Sequence, residues 1–171
     1  MAAAMTMNQR PMLITVIGGS AAAPPALEDA YQVGLELARR GAVVICGGLT
    51  GVMEAVCKGA KDGGGTTIGI LPGHIPDDAN SYVDYPIATG MGYMRNAIVA
   101  KAGRAVIAID GAYGTLSEIG HALGEGATVI GLNTWHMSVD GVEDTAIIRA
   151  DSPVDAVDKA IAVATTKQAA V

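Results

Sequence analysis

Two charged residues stand beside glycine-rich turns, where a side chain and backbone amides can act on one ligand. Glu118 closes the stretch DGAYGTLSE (110–118), and Arg95 sits within MGYMRNAI (91–98). A carboxylate held away from water can stabilise a developing positive charge or move a proton. A guanidinium forks onto a phosphate or a carboxylate. Between Arg40 and Arg149 the other cations are Lys58, Lys61, Lys101 and Arg104, so an anion held by a charged side chain has few partners besides Arg95. Each residue also has a plainer reading. Thr115 and Glu118 have the spacing of a capping box, Glu54 and Glu118 each suit a first helical turn as complements to the helix dipole, and Arg95 suits a solvated surface.

The glycines supply the other half of a site. Three apolar runs end in glycine turns that feed helical patterns: Gly18-Gly19-Ser20, Cys46-Gly47-Gly48-Leu49-Thr50-Gly51, and Asp110-Gly111-Ala112-Tyr113-Gly114-Thr115. Glycine lets backbone N–H groups approach an anion, and a helix start adds partial positive charge. Together they suit a phosphate or a phosphorylated sugar. No G-x-G-x-x-G and no G-x-x-x-x-G-K-[ST] occurs, so neither the dinucleotide fingerprint nor the triphosphate-binding loop is indicated. Ser20 and Ser117 lack the G-x-S-x-G elbow, and His74, His121 and His136 have no Ser or Cys partner at a readable spacing. Cys46 and Cys57 form no C-x-x-C or Cys/His pattern and read as buried free thiols, so no metal site is expected.

These turns must be carried by strands and helices, and the pattern supplies them. Short apolar runs at 12–19, 42–48, 66–73, 104–110 and 127–132 read as buried strands, with weaker ones at 82–89 and 146–150. Helical spacing marks 24–41, 50–64, 91–103, 115–126 and 152–167, the last with Ser152 as cap and Pro153 just inside it. Alternating strands and helices predict a single α/β domain, Rossmann-like and doubly wound, with a mostly parallel sheet flanked by helices. It spans 11–171, after a loose N-terminus at 1–10. All three glycine turns then fall at the carboxyl edge of the sheet, where such folds bind ligands.

Composition narrows the partners. The net charge is −6, with eleven Lys plus Arg spread thinly, so no basic track for nucleic acid exists. No signal peptide and no 18-residue apolar stretch is present, which predicts a soluble, cytoplasmic protein without membrane contact.

The segments CGGLTGVMEAV (46–56), MGYMRNAI (91–98) and DGAYGTLSEIG (110–120) resemble, in order, the three motifs of the LONELY GUY-like family, once labelled lysine decarboxylases. Those motifs are G-G-G-x-x-G-x-M, M-x-x-R-K and P-G-G-x-G-T-x-x-E. The likeness is closer to a bacterial branch of unassigned function related to molybdenum-cofactor carrier proteins. The resemblance implies a Rossmann-like homodimer with a nucleotide site and no metal or redox cofactor. By position, Arg95 and Glu118 match the residues regarded as catalytic in the family's nucleoside monophosphate phosphoribohydrolases. Gly47, Gly48, Gly51, Gly111, Gly114 and Thr115 match its phosphate-cradling turns, and Gly18, Gly19, Ser20, Thr50, Met94 and Tyr113 extend the binding set, with Glu54 and Asp110 as possible additions. The chain departs from the motifs at Cys46, Asp110 and Ala112, has Asn96 in place of the lysine after the arginine, and has Ser117 in place of the acid often found before the closing glutamate. Ala112 is expected to strain the second turn, and Asp110 to place negative charge near the anion.

Two functions follow as expectations. One is hydrolysis of a nucleoside 5′-monophosphate to free base and ribose 5-phosphate. The other is non-catalytic carriage of a nucleotide-like or molybdenum-cofactor-like ligand. Amino-acid decarboxylation is excluded, because no lysine is placed for a Schiff base beside a phosphate cup.

Overall fold

The computed structural model describes residues 10–169, so the predicted loose segment 1–10 lies, apart from Arg10, outside the described residues. Strands β1 (Met12–Gly18), β2 (Ala42–Cys46), β3 (Thr67–Leu71), β4 (Tyr85–Ala88), β5 (Val106–Ile109), β6 (Val129–Leu132) and β9 (Ile147–Ala150) form one sheet. Its order is β4-β3-β2-β1-β5-β6-β9, and every neighbouring pair is parallel. Helices α1 (Pro24–Arg39), α2 (Val52–Asp62), α3 (Asn96–Ala102), α4 (Tyr113–Gly124) and α5 (Pro153–Ala169) cover both faces. The predicted doubly wound α/β domain is the one observed.

Alternation along the central strands builds a core on each face. Ile14 and Val16 of β1, with Ile107 and Ile109 of β5, pack with Val33, Leu37, Val56 and Val157 from α1, α2 and α5. Ile17, Val106 and Ala108 point the other way, onto Val99, Ala100, Ile119 and Ala122 of α3 and α4. A strand buried on both sides has no polar face to show, which is why these segments read as unbroken apolar runs. Pro86 is tolerated because β4 is an edge strand. Among the described residues no helix is long and apolar enough to cross a membrane.

Strand order reverses between β1 and β5: the strands from β2 to β4 extend to one side of β1, and those from β5 onward to the other. At such a point the loops leaving the two central strands diverge and open a crevice at their carboxyl ends. Ser152 caps α5 as expected, its Oγ accepting a bond from the Asp155 amide at 3.2 Å. One element was not anticipated, a hairpin of β7 (Met137–Val139) and β8 (Val142–Asp144). Its turn is Asp140-Gly141, both at positive φ. An Asp-Gly pair between short apolar segments is a strong hairpin signal that the weak pattern after Trp135 obscured.

Helices α1 and α2 meet backbone to backbone. A methyl group on Gly34 would lie 2.0 Å from the Val56 carbonyl oxygen, and one on Gly59 would lie 2.0 Å from that of Tyr31. Gly34→Ala gains up to about 1 kcal/mol of helix propensity but forces the helices apart, at a cost of about 1–3 kcal/mol. Crowding outweighs propensity, so urea denaturation should show a lower midpoint with an unchanged slope.

Candidate active site

At the reversal point the strand ends, the short 3₁₀ turn Gly92–Arg95 and the start of α4 enclose a cleft of about 350 Å³. Its floor holds Arg95 and Glu118, each only 7% exposed. Arg95 ends the 3₁₀ turn and is carried over the β2 loop. Its Nη2 donates to the Gly47 carbonyl at 3.3 Å, and its Nη1 donates to Asn96 Oδ1. Gly47 makes this approach possible, since a methyl group there would stand 2.7 Å from Nη2. Arg95 Nε is buried and makes no hydrogen bond, a donor left for a ligand or water to satisfy.

Glu118 reaches the floor by a different route from the one its spacing suggests. Helix α4 begins at Tyr113, with Ala112 at the N-cap and no side-chain capping bond. Thr115 is therefore the third helical residue and Glu118 the sixth, so the capping box does not form. Glu118 instead turns to Arg95, Oε1 lying 3.6 Å from Nη1, and accepts no hydrogen bond within the described residues. Burial pushes its pKa up from 4.5 to about 7, and the charge of Arg95 opposes the shift only in part. Asp84 offers a contrast. It accepts bonds from Lys61 Nζ, the Thr67 amide and the Thr67 hydroxyl, and its pKa is lowered despite the penalty of partial burial. Burial likewise works against the charge of Arg95, while Glu118 favours it.

The uncapped start of α4 leaves the amides of Tyr113, Gly114 and Thr115 without intrahelical partners. With Gly18, Gly19 and Ser20 at the carboxyl end of β1, these residues line the cleft. Nine of the sequence-derived candidates therefore converge: Gly18, Gly19, Ser20, Gly47, Arg95, Tyr113, Gly114, Thr115 and Glu118. The others lie outside the lining. Gly48, Gly51 and Thr50 shape the β2 loop: Gly51 holds φ 68° where a side chain would strike the Gly19 carbonyl, and Thr50 Oγ1 donates to the Ser20 carbonyl at 3.1 Å. Glu54 stays in the first turn of α2. Met94 faces outward, and Gly111 precedes the lining of its turn. Sequence reasoning did not place Ile17, Leu49, Met53 and Tyr93 in the lining, although Met53 closes the first of the family motifs.

The departures from the motifs take definite places. Ala112 adopts extended backbone, φ −105°, ψ −162°, so the expected strain is absent. Asp110 sits at φ 52°, a conformation Asp tolerates, with Oδ2 beside Gly19 rather than in the cleft lining. Asn96 Nδ2 donates to Ser117 Oγ at 3.1 Å, so two of the replacements bond to each other. Cys46 Sγ accepts the Gly48 amide at 3.3 Å and lies 3.5 Å from Cys57 Sγ. Both thiols are buried and free, and the hydrogen bond to Cys46, with burial, pushes the Cys57 thiol up. Among the described residues no three His, Cys, Asp or Glu side chains converge as a metal would need.

Because the Glu118 pKa is higher in the folded chain than in the unfolded one, the native state binds the extra proton between pH 4.5 and 7. Its contribution to stability is therefore full below pH 4.5 and lost as pH rises through 7. Relative to Glu118→Gln, the chain should lose up to about 3 kcal/mol across that window. Urea melts of both proteins at pH 5 and pH 8 read this difference directly.

Known proteins resemble this chain in sequence and in fold. Residues 11–165 match the SLOG cluster4 family. An uncharacterized protein of Archaeoglobus fulgidus is 46% identical over 121 residues, covering 71% of this chain and 80% of that protein. A probable cytokinin riboside 5′-monophosphate phosphoribohydrolase of rice is 31% identical over 135 residues, 74% of this chain; the match spans 58% of the rice protein, little more than half its length. Among solved structures, the molybdenum cofactor binding protein of the phototrophic bacterium Rippkaea orientalis superposes with a TM-score of 0.82 at 33% identity, covering 91% of this chain and 99% of that one. The chain belongs to the SLOG cluster4 family, a LONELY GUY-like Rossmann family related to molybdenum cofactor carriers.

Proposed function

We propose that the cleft binds a nucleoside 5′-monophosphate and hydrolyses its N-glycosidic bond, releasing base and ribose 5-phosphate. The observation that carries this reading is Glu118, a carboxyl without a hydrogen bond, buried beside Arg95 with a pKa near 7. Cleavage of an N-glycoside builds positive charge on the ribose ring, as in glycoside hydrolysis. An ionised carboxylate facing that ring stabilises the charge and helps to activate water. The uncapped amides of Tyr113, Gly114 and Thr115, at a positive helix end, receive the phosphate, and Arg95 orients Glu118 or holds an anionic oxygen. The similarity to the rice phosphoribohydrolase supports the same reading. The free thiols of Cys46 and Cys57 suit a reducing, cytoplasmic setting.

A carrier role is the second reading, favoured by the near-complete coverage of the Rippkaea orientalis protein. The two readings separate on incubation with a panel of nucleoside monophosphates. Hydrolysis predicts base release that rises with pH through about 7 and falls about 10³-fold in Glu118→Gln. Release that survives this substitution removes Glu118 from the reaction. Binding without release establishes the carrier instead.

The homodimer implied by the family resemblance has an apolar surface to use. The apolar face of α2 is spent on the core, but Tyr85, Ile87, Met91, Met94 and Ile98 are exposed. Light scattering should give a dimer mass, reduced to that of one chain by Ile87→Lys with Met94→Glu.

A further inference from the structure

A guanidinium beside a carboxylate normally closes to a charge-assisted hydrogen bond of about 2.7–2.9 Å. Arg95 Nη1 instead stops 3.6 Å from Glu118 Oε1. Both ends of its fork are held elsewhere: Nη2 donates to the Gly47 carbonyl at 3.3 Å, and Nη1 donates to Asn96 Oδ1. Asn96 is the first residue of α3 and is buried. Its amide is tied in turn to the start of α4. Nδ2 donates to Ser117 Oγ at 3.1 Å and to the Gly114 carbonyl at 3.5 Å, and Ser117 Oγ donates to the same carbonyl at 2.7 Å. The direction of this relay is fixed, because a guanidinium only donates and a main-chain carbonyl only accepts. Asn96 must show its oxygen to Arg95 and its NH₂ to α4. The other titratable groups around the ion pair are the Cys46 thiol on β2 and the Tyr93 hydroxyl on the 3₁₀ turn, and neither bonds to Glu118 among the described residues.

We propose that Asn96 is a positioning residue, which occupies Arg95 Nη1 and so withholds a hydrogen bond from Glu118. With Asn96 gone, the freed Nη1 turns to Glu118 Oε1, and a carboxylate that accepts such a bond holds its proton less tightly. Asn96 thereby preserves the effect of burial, which brings the Glu118 pKa up to about 7. What this does for the reaction rests on the hydrolytic reading of the cleft: Asn96 sets the pH at which Glu118 becomes the ionised group facing the ribose.

The charge state of Glu118 can be followed without substrate, by carbon NMR of the side-chain carboxyls, its signal being the one lost in Glu118→Gln. Asn96→Leu removes both polar ends of the relay at similar size, and the proton affinity of Glu118 should fall about tenfold or more. Asn96→Asp keeps the contact with Arg95 but sets a second negative charge beside Glu118, and should raise that affinity. A residue that only packs would move neither, or both in one direction. Ser117→Ala, at an exposed position, loosens Asn96 without touching the buried pair. It should act as Asn96→Leu does, by less, and decides the matter if Asn96→Leu does not fold. The acid limb of base release from nucleoside monophosphates should follow, to lower pH in Asn96→Leu and to higher pH in Asn96→Asp. An unchanged Glu118 titration in the variants that fold, or shifts of one sign at position 96, overturns the proposal. Shifts of opposite sign without base release from any monophosphate leave Asn96 in its role and remove the hydrolytic reading instead.

Discussion

Burying Glu118 against Arg95 without a hydrogen bond sets the terms on which the rest of the cleft is built. A carboxylate in such a place is costly to ionise, and the surroundings are arranged to hold it without relieving it. Arg95 is fixed by Gly47 and Asn96, leaving Glu118 only a Coulombic partner. Gly47 must lack a side chain for the guanidinium to fit, and the β2 loop must be braced for Gly47 to stay in place. The sheet topology brings these parts together, since only at the β1–β5 reversal do the β1 loop, the β2 loop and the start of α4 share one opening.

The fold was legible because its signals are periodic and local. Continuous apolar runs such as 12–19 and 104–110 have one reading when they alternate with helical spacing, and strands form within them, at Met12–Gly18 and Val106–Ile109. The site was legible in position but not in detail. The turn at 110–115 marked the right place, yet the capping-box spacing of Thr115 and Glu118 misled, because α4 is capped at Ala112, three residues before Thr115. No local pattern signals that the sixth residue of a helix will meet an arginine from another element. The burial of Arg95 was hidden for the same reason, since it depends on an absent side chain at Gly47.

Motif departures also look different in three dimensions. Ala112 is unstrained and Asp110 is turned to Gly19, so neither blocks the amides of α4. The thiol of Cys46 packs beneath the Gly47–Gly48 turn, taking that turn's amide as a hydrogen bond. A substitution at a binding loop can thus change how the loop is supported without changing what it presents.

The bond between Asn96 and Ser117 carries this further, into how such a sequence can change. Asn96 is buried beside Arg95, and Ser117 is one residue from Glu118. The family pattern has a lysine and an acid at these positions. Restoring the lysine alone would place a second cation against the guanidinium without a counter-charge, and restoring the acid alone would crowd Glu118 with like charge. The two side chains are coupled through their hydrogen bond, so changing either alone alters the setting of the other. Two departures that are separate in the motif are thus one contact in the fold, a neutral hydrogen bond set beside the Arg95–Glu118 ion pair.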